Sequence, residues 1–201
     1  MTSSLEESVH QTVTKRAAIA RHAIHEIRNV IEDTRAERMG ALNIAFVLWE
    51  QGLMSMILHN SETWVSMKKK TVKILDDLFH HFCRVVLRVS VSCPKVNFYW
   101  QSGSLTFENH ILLRKIIFAH HLSSLQEGSL AREIWEEQVR DKNLPGLCRE
   151  VEEHISCMGL QLGEINCISK WQFKKISKEY ITRRNKSQLL EEIKKFRKPE
   201  L

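Results

Sequence analysis

The sequence predicts an all-α protein, an irregular multi-helix bundle of six to eight helices arranged in two loosely separated helical units. Three observations predict it. Apolar residues recur every three or four positions along most of the chain, the period of a helix face and not of a strand. The 201 residues include only 7 Gly and 3 Pro, about 5% together, too few turn formers for a sandwich or barrel. Hydrophobic residues make up 43% and charged residues 27%, enough apolar material to bury a sizeable core at this length.

The first helix is expected from about Leu5 to Ala36, with Val9, Val13, Ala17, Ala20, Ile24, Ile27 and Ile31 as a single stripe. Lys15, Arg16, Arg21, Arg28 and Arg35 occupy its other face. After Gly40 a strongly apolar helix follows over 41–59. Its Phe46, Leu48 and Trp49 are expected at the centre of the fold, packed by Ile24, Ile27, Leu75 and Phe79. Residues 41–58 hold 13 apolar residues in 18, but Asn43, Glu50, Gln51 and Gly52 interrupt them. That pattern reads as a core helix and not as a membrane span.

A polar turn at His59–Trp64 precedes a helix opened by Lys68, Lys69 and Lys70, with Val72, Leu75, Phe79, Phe82, Val86 and Val89 as its stripe. Ser92-Cys93-Pro94 is expected to stop it, because proline cannot continue a helix. Asn97 to Gly103 reads as a loop or short extended piece, and a fourth helix spans about Phe107 to Leu125. Ser129 is a candidate N-cap for a helix over 130–140. Pro145 suits the first turn of a helix over 146–157, and Gly159 is its stop. The last helix or helix pair starts after Ser169 and fades at Lys198-Pro199. A soft boundary at Val91 to Lys95 divides the chain into 1–92, 93–165 and a basic tail, 166–201.

Charge is concentrated in that tail. The whole chain carries +6, yet from Asn166 onward 11 Lys/Arg face 4 Glu, a local +7, which leaves −1 for the rest. Lys170, Lys174, Lys175, Lys178, Arg183 and Arg184 are therefore the first candidates for holding a polyanion, with no sequence preference. Trp171, Phe173, Tyr180 and Phe196 lie among the basic residues and are candidates for stacking on bases. The alternative is a helix that docks by its aromatics and leaves its lysines in water.

No catalytic constellation is legible. The five cysteines, 83, 93, 148, 157 and 167, form no C-x-x-C pair and read as reduced thiols in an intracellular protein, cytoplasmic or nuclear. The N-terminus has neither the basic nor the apolar region of a secretory leader. His22 and His25 lack a completing ligand, and the adjacent pairs His80-His81 and His120-His121 point about 100° apart on a helix, so no metal is expected. Asp76-Asp77 lies within a helical stripe and reads as a solvated helix face, and no phosphate-binding glycine loop or nucleophile elbow occurs. No cofactor is expected.

Several stretches taken in order carry a resemblance. They are Asn60-Ser-Glu-Thr-Trp64, Lys68-Lys-Lys-Thr71, Arg84-Val-Val-Leu-Arg-Val-Ser90, Ser92-Cys-Pro-Lys95, Tyr99-Trp-Gln-Ser-Gly103, Leu113-Arg-Lys-Ile-Ile-Phe-Ala-His-His-Leu122, Ser129-Leu-Ala-Arg-Glu-Ile134 with Gln138, and Leu144-Pro-Gly-Leu147. This order resembles the region downstream of the palm in reverse transcriptases of animal non-LTR retrotransposons, over roughly Glu6 to Gly159. The resemblance implies a thumb-like first unit and a post-thumb segment without fingers or palm, which would have to lie before Met1. It implies no polymerase activity, since nothing matches the family's palm aspartates. What it leaves is non-specific binding of an RNA or DNA duplex, with Lys15, Arg16 and Lys68, Lys69, Lys70 as candidate contacts. A surface left by the missing palm would favour self-association. The alternative, from a different class, is a helical protein-interaction module with no nucleic-acid role.

Overall fold

The computed structural model describes residues 2–33, 38–64, 67–90, 92–141, 143–144 and 146–197. Among these residues there are nine α-helices and no strand. Two of the nine, α2 (Arg38–Val47) and α3 (Met54–Ile57), are joined by a π-helical turn over Leu48–Leu53 into one rod, so the rods number eight. The others are α1 (Thr2–Asp33), α4 (Lys69–Leu87), α5 (Lys95–Ser102), α6 (Phe107–Ser123), α7 (Leu130–Arg140), α8 (Leu147–Cys157) and α9 (Lys170–Arg197). No described helix is long and apolar enough to cross a membrane. The expected positions Arg35, Ala36, Pro145 and Lys198 lie outside the described residues.

The chain forms two compact units, one of Met1–Asn60 with Ser66–Phe107 and one of Ser61–Val65 with Glu108–Leu201. The division falls at Phe107 and not at Val91–Lys95, and residues 166–201 are part of the second unit. In the first unit, α1 and α4 run parallel. His10 Nδ1 lies 2.9 Å from Thr71 Oγ1, His25 meets His81 edge-on at 5.4 Å, and Arg88 donates to Glu32 at 2.7 Å. The predicted stripe of α1 is the buried one, with Val13, Ala17, Ala20, Ile24 and Ile27 all inside.

The α2–α3 rod is buried on one side only, which corrects the expectation that Phe46, Leu48 and Trp49 all sit at the centre of the fold. Trp49, 2% exposed, stacks on Phe82 at 4.5 Å and lies against Phe79 at 5.4 Å, with Phe107 edge-on. Leu48 is 40% exposed and shares an outward row with Ile44 and Val47. Neighbouring helical residues point about 100° apart, so Leu48 and Trp49 cannot both face the core. The π turn is closed by Met54 N–H donating to Trp49 C=O and brings Leu53 and Met54 inward beside Trp49.

Arg16 Nη1 finishes the rod, donating to the carbonyls of Ile57 (3.1 Å) and His59 (2.7 Å). These belong to the carbonyls that a helix end leaves without intrahelical donors. Arg16→Ala is expected to lower unfolding stability by about 1.5–3 kcal/mol, the range for a hydrogen bond to a charged group. An unchanged urea midpoint would contradict this role.

α4 ends earlier than Pro94 requires. Arg88 turns left-handed at φ 55, and Val89, expected in the stripe, is exposed. Residues 97–102 are helical and not the expected loop. Pro94 holds φ −60 at the N-cap of α5, and Val96, Phe98 and Tyr99 are buried. Tyr99 stacks on Phe79 at 4.6 Å, and Gly103 closes the helix at φ 67.

In the second unit α6 and α9 run antiparallel. Asn109 Nδ2 donates to Asn185 and Gln188, while at the other end His120 Nε2 lies 2.9 Å from Ile168 O. Phe173, Ser177, Ile181, Asn185 and Leu189 form the inward row of α9 at spacings of four. Trp64, Trp135, Val151, Ile155 and Ile165 are also buried in this unit. Ser129 stands at the N-cap of α7, but its hydroxyl makes no capping bond. Gly159, at φ 75, stops α8 as expected. Its N–H donates to Ser156 O and that of Leu160 to Ile155 O, the paired closing bonds of a left-handed C-terminus.

Candidate nucleic-acid interface

The cations singled out in the first unit are largely occupied. Lys68 pairs with Glu6 at 3.2 Å and Lys70 with Glu7 at 3.5 Å, both across α1 and the start of α4. Arg16 is spent on the end of the α2–α3 rod. Lys15 and Lys69 are exposed. The two aspartates of α4 also have partners. Tyr99 Oη donates to Asp76 Oδ1 at 2.7 Å, and Lys95 pairs with Asp77. Both are half-buried, which replaces the expected solvated face with a contact to α5. Among the described residues no group of three His, Cys, Asp or Glu side chains could hold a metal.

In the second unit α9 presents a different surface. Lys170, Lys174, Lys175, Lys178 and Arg183 are exposed. Among the described residues the four lysines enter no ion pair. Lys170, Lys174 and Lys178 follow at i, i+4 and i+8, about 6 Å apart along the axis. Trp171 is 70% exposed, and Lys175 Nζ sits 5.5 Å over its ring. Arg183 follows Lys175 at i+8, about 80° further round the helix. Arg184 is half-buried, close enough to Tyr180 and His154 to affect both. Of the six tail candidates, the helix therefore gathers the four lysines near its start, places Arg183 further along on the ridge of Lys175, and leaves Arg184 half-buried.

A cavity of about 700 Å³ opens in this unit between α6 and the start of α9. Arg114, His121, Lys170 and Lys174 contribute its cationic and polar wall, and Phe118 and Phe173 part of its apolar wall. His120 stacks on Phe173 at 4.6 Å while its Nε2 faces the Ile168 carbonyl, which fixes that wall. Sequence reasoning missed this site. Arg114, Phe118 and His121 recur at spacings of four and three, which already places them on one face of α6. The far wall, about fifty residues away in the chain, leaves no such signal.

Burial, with a smaller contribution from Arg114, pushes His110 down from 6.5 to about 4. Burial is also the largest cause lowering His80, His81 and His154. A histidine held neutral in the folded chain and free to protonate in the unfolded one costs stability as pH falls below its unfolded value. Stability is thus expected to be full above pH 6.5 and to drop from there towards 4, by up to about 1.4 kcal/mol per pH unit from His110. Thermal melts at pH 7, 6 and 5 check this, with His110→Gln flattening the trend; a melting temperature constant over that range would contradict it.

Comparison with protein-family models, with curated proteins and with solved structures finds no match for the chain.

Proposed function

We propose that this chain is a catalytically silent, intracellular helical segment that holds nucleic acid, of the kind that follows the palm in non-LTR retrotransposon reverse transcriptases. The observation that carries the reading is the side of α9 bearing Lys170, Lys174, Lys175 and Lys178 around the exposed Trp171. A row of solvated ammonium groups on one helix attracts phosphates through counterion release, and an exposed indole adds a face for a base. The engaged state of Arg16, Lys68 and Lys70 favours α9 over the thumb-like face. The partners of Asp76 and Asp77 fit a structural role for that pair, and the buried thiol of Cys83 fits a reducing compartment.

Fluorescence anisotropy of the full chain with unrelated duplexes of equal length, over a salt series, tests the reading. Binding should be alike across sequences and steeply salt-dependent. No binding at low salt would favour a second reading, protein–protein contact, which rests on the exposed row Ile44, Val47 and Leu48. Such a row supports self-association, and sedimentation would then show a dimer that Val47→Glu dissociates.

A further inference from the structure

We propose that the cavity between α6 and α9 receives one unpaired, 5′-phosphorylated nucleotide at the end of a strand, with its base against Phe118 and its phosphate against Lys170 and Lys174. The inference rests on the α9 reading and extends it from a helix face to a pocket. The volume of about 700 Å³ lies within the range of small-molecule sites, about 300–1,000 Å³. Its wall combines two chemistries that a nucleotide also combines. Phe118 and Ile168 supply an apolar surface for a planar ring, backed by the buried Phe173, while Lys170 and Lys174 supply cations. Among the described residues Glu62 is the one acid on the wall, so Lys170 and Lys174 leave a positive excess suited to an anion, and the Glu62 carboxylate offers an acceptor for a sugar hydroxyl. The anchoring of His120 to Ile168 O and Phe173 means the wall is formed before any ligand arrives.

Continuity decides between a strand end and an anion of another class. Lys170 and Lys174 line the cavity and also begin the row that continues to Lys178 on the open face. A strand whose phosphates follow that row is led to the cavity mouth. A free mononucleotide shares the same chemistry, and the experiment separates the two sources.

The full chain is titrated with AMP and with adenosine by amide chemical-shift mapping. It is then titrated by anisotropy with two DNAs, a blunt duplex and the same duplex with a 5′-phosphorylated single-stranded overhang. AMP should shift the amides around Phe118, His121 and Lys170, and adenosine should not. The overhang should bind about 5- to 150-fold tighter than the blunt end, the equivalent of ~1–3 kcal/mol for one stacked base. Asn166→Trp fills the mouth from an exposed lining position without changing charge. It should abolish AMP binding and the overhang advantage and leave blunt-duplex affinity intact; Ser124→Trp serves the same purpose should the first variant not fold. Equal affinity for the two DNAs without AMP shifts, or an overhang advantage that survives both tryptophans, overturns the proposal. AMP binding without an overhang advantage overturns the strand end and assigns the free nucleotide. AMP binding with no duplex binding at low salt removes the α9 reading and leaves the pocket standing.

Discussion

Replacing four lysines together, Lys170→Gln, Lys174→Gln, Lys175→Gln and Lys178→Gln, is expected to remove nearly all salt-dependent affinity for duplex DNA. Each phosphate contact contributes about 0.9 to the slope of log affinity against log salt, so four contribute about 3.6. A slope of that size means a loss on the order of 150-fold between ~50 and ~200 mM salt. The fourfold variant should show almost none. All four side chains are exposed, so the substitution leaves the core of the second unit in place. Deleting residues 166–201 does not offer the same test, because Phe173, Ile181 and Leu189 of α9 are buried in that core. Arg183→Gln alone removes at most one contact and should lower the slope by no more than about 0.9. A fourfold variant that keeps the full slope would move the contacts to Lys15 and Lys69, exposed cations of the first unit.

Trp49→Ala is expected to cost about 3–5 kcal/mol of unfolding stability, the range for truncating a buried large aromatic. Its ring sits within the group formed by Phe79, Phe82 and Phe107, so truncation leaves a void that none of the three can fill without leaving its own contacts. The neighbouring Leu48→Ala should cost only about 0.5 kcal/mol, since Leu48 makes an outward surface. Urea unfolding followed by circular dichroism measures both. Equal losses for the two variants would mean that the π turn is set in the wrong register.

The difference between those two residues also shows what a one-dimensional pattern can carry. The stripe of α1 and the inner row of α4 were legible because period and polarity agree there, and Leu75, Phe79, Phe82 and Val86 are buried as expected. The α2 region was not legible in the same way, because apolar residues on all sides give the pattern no phase. The helix at Lys95–Ser102 was hidden by its polar residues Asn97, Gln101 and Ser102. Its start depends on Pro94, which reads equally as the end of what precedes it. The lysines of α9 were visible as composition. The pairing of Lys68 and Lys70 with Glu6 and Glu7 joins positions more than sixty residues apart, and the cavity joins α6 to α9 over a similar span. Contacts of that separation are set by the packing of whole helices and leave no local trace.

The placement of Ser61–Val65 carries a consequence for the history of the chain. This short stretch belongs to the second unit, although the sequence on both sides of it, up to Asn60 and from Ser66 to Phe107, belongs to the first. Neither unit is a continuous length of polypeptide. A recombination break at Phe107 would strip the second unit of Trp64, which is only 6% exposed, and strand five residues on the first. The pair cannot be shuffled, duplicated or lost as separate cassettes, so a crossover that preserves either unit must spare both and they are inherited together.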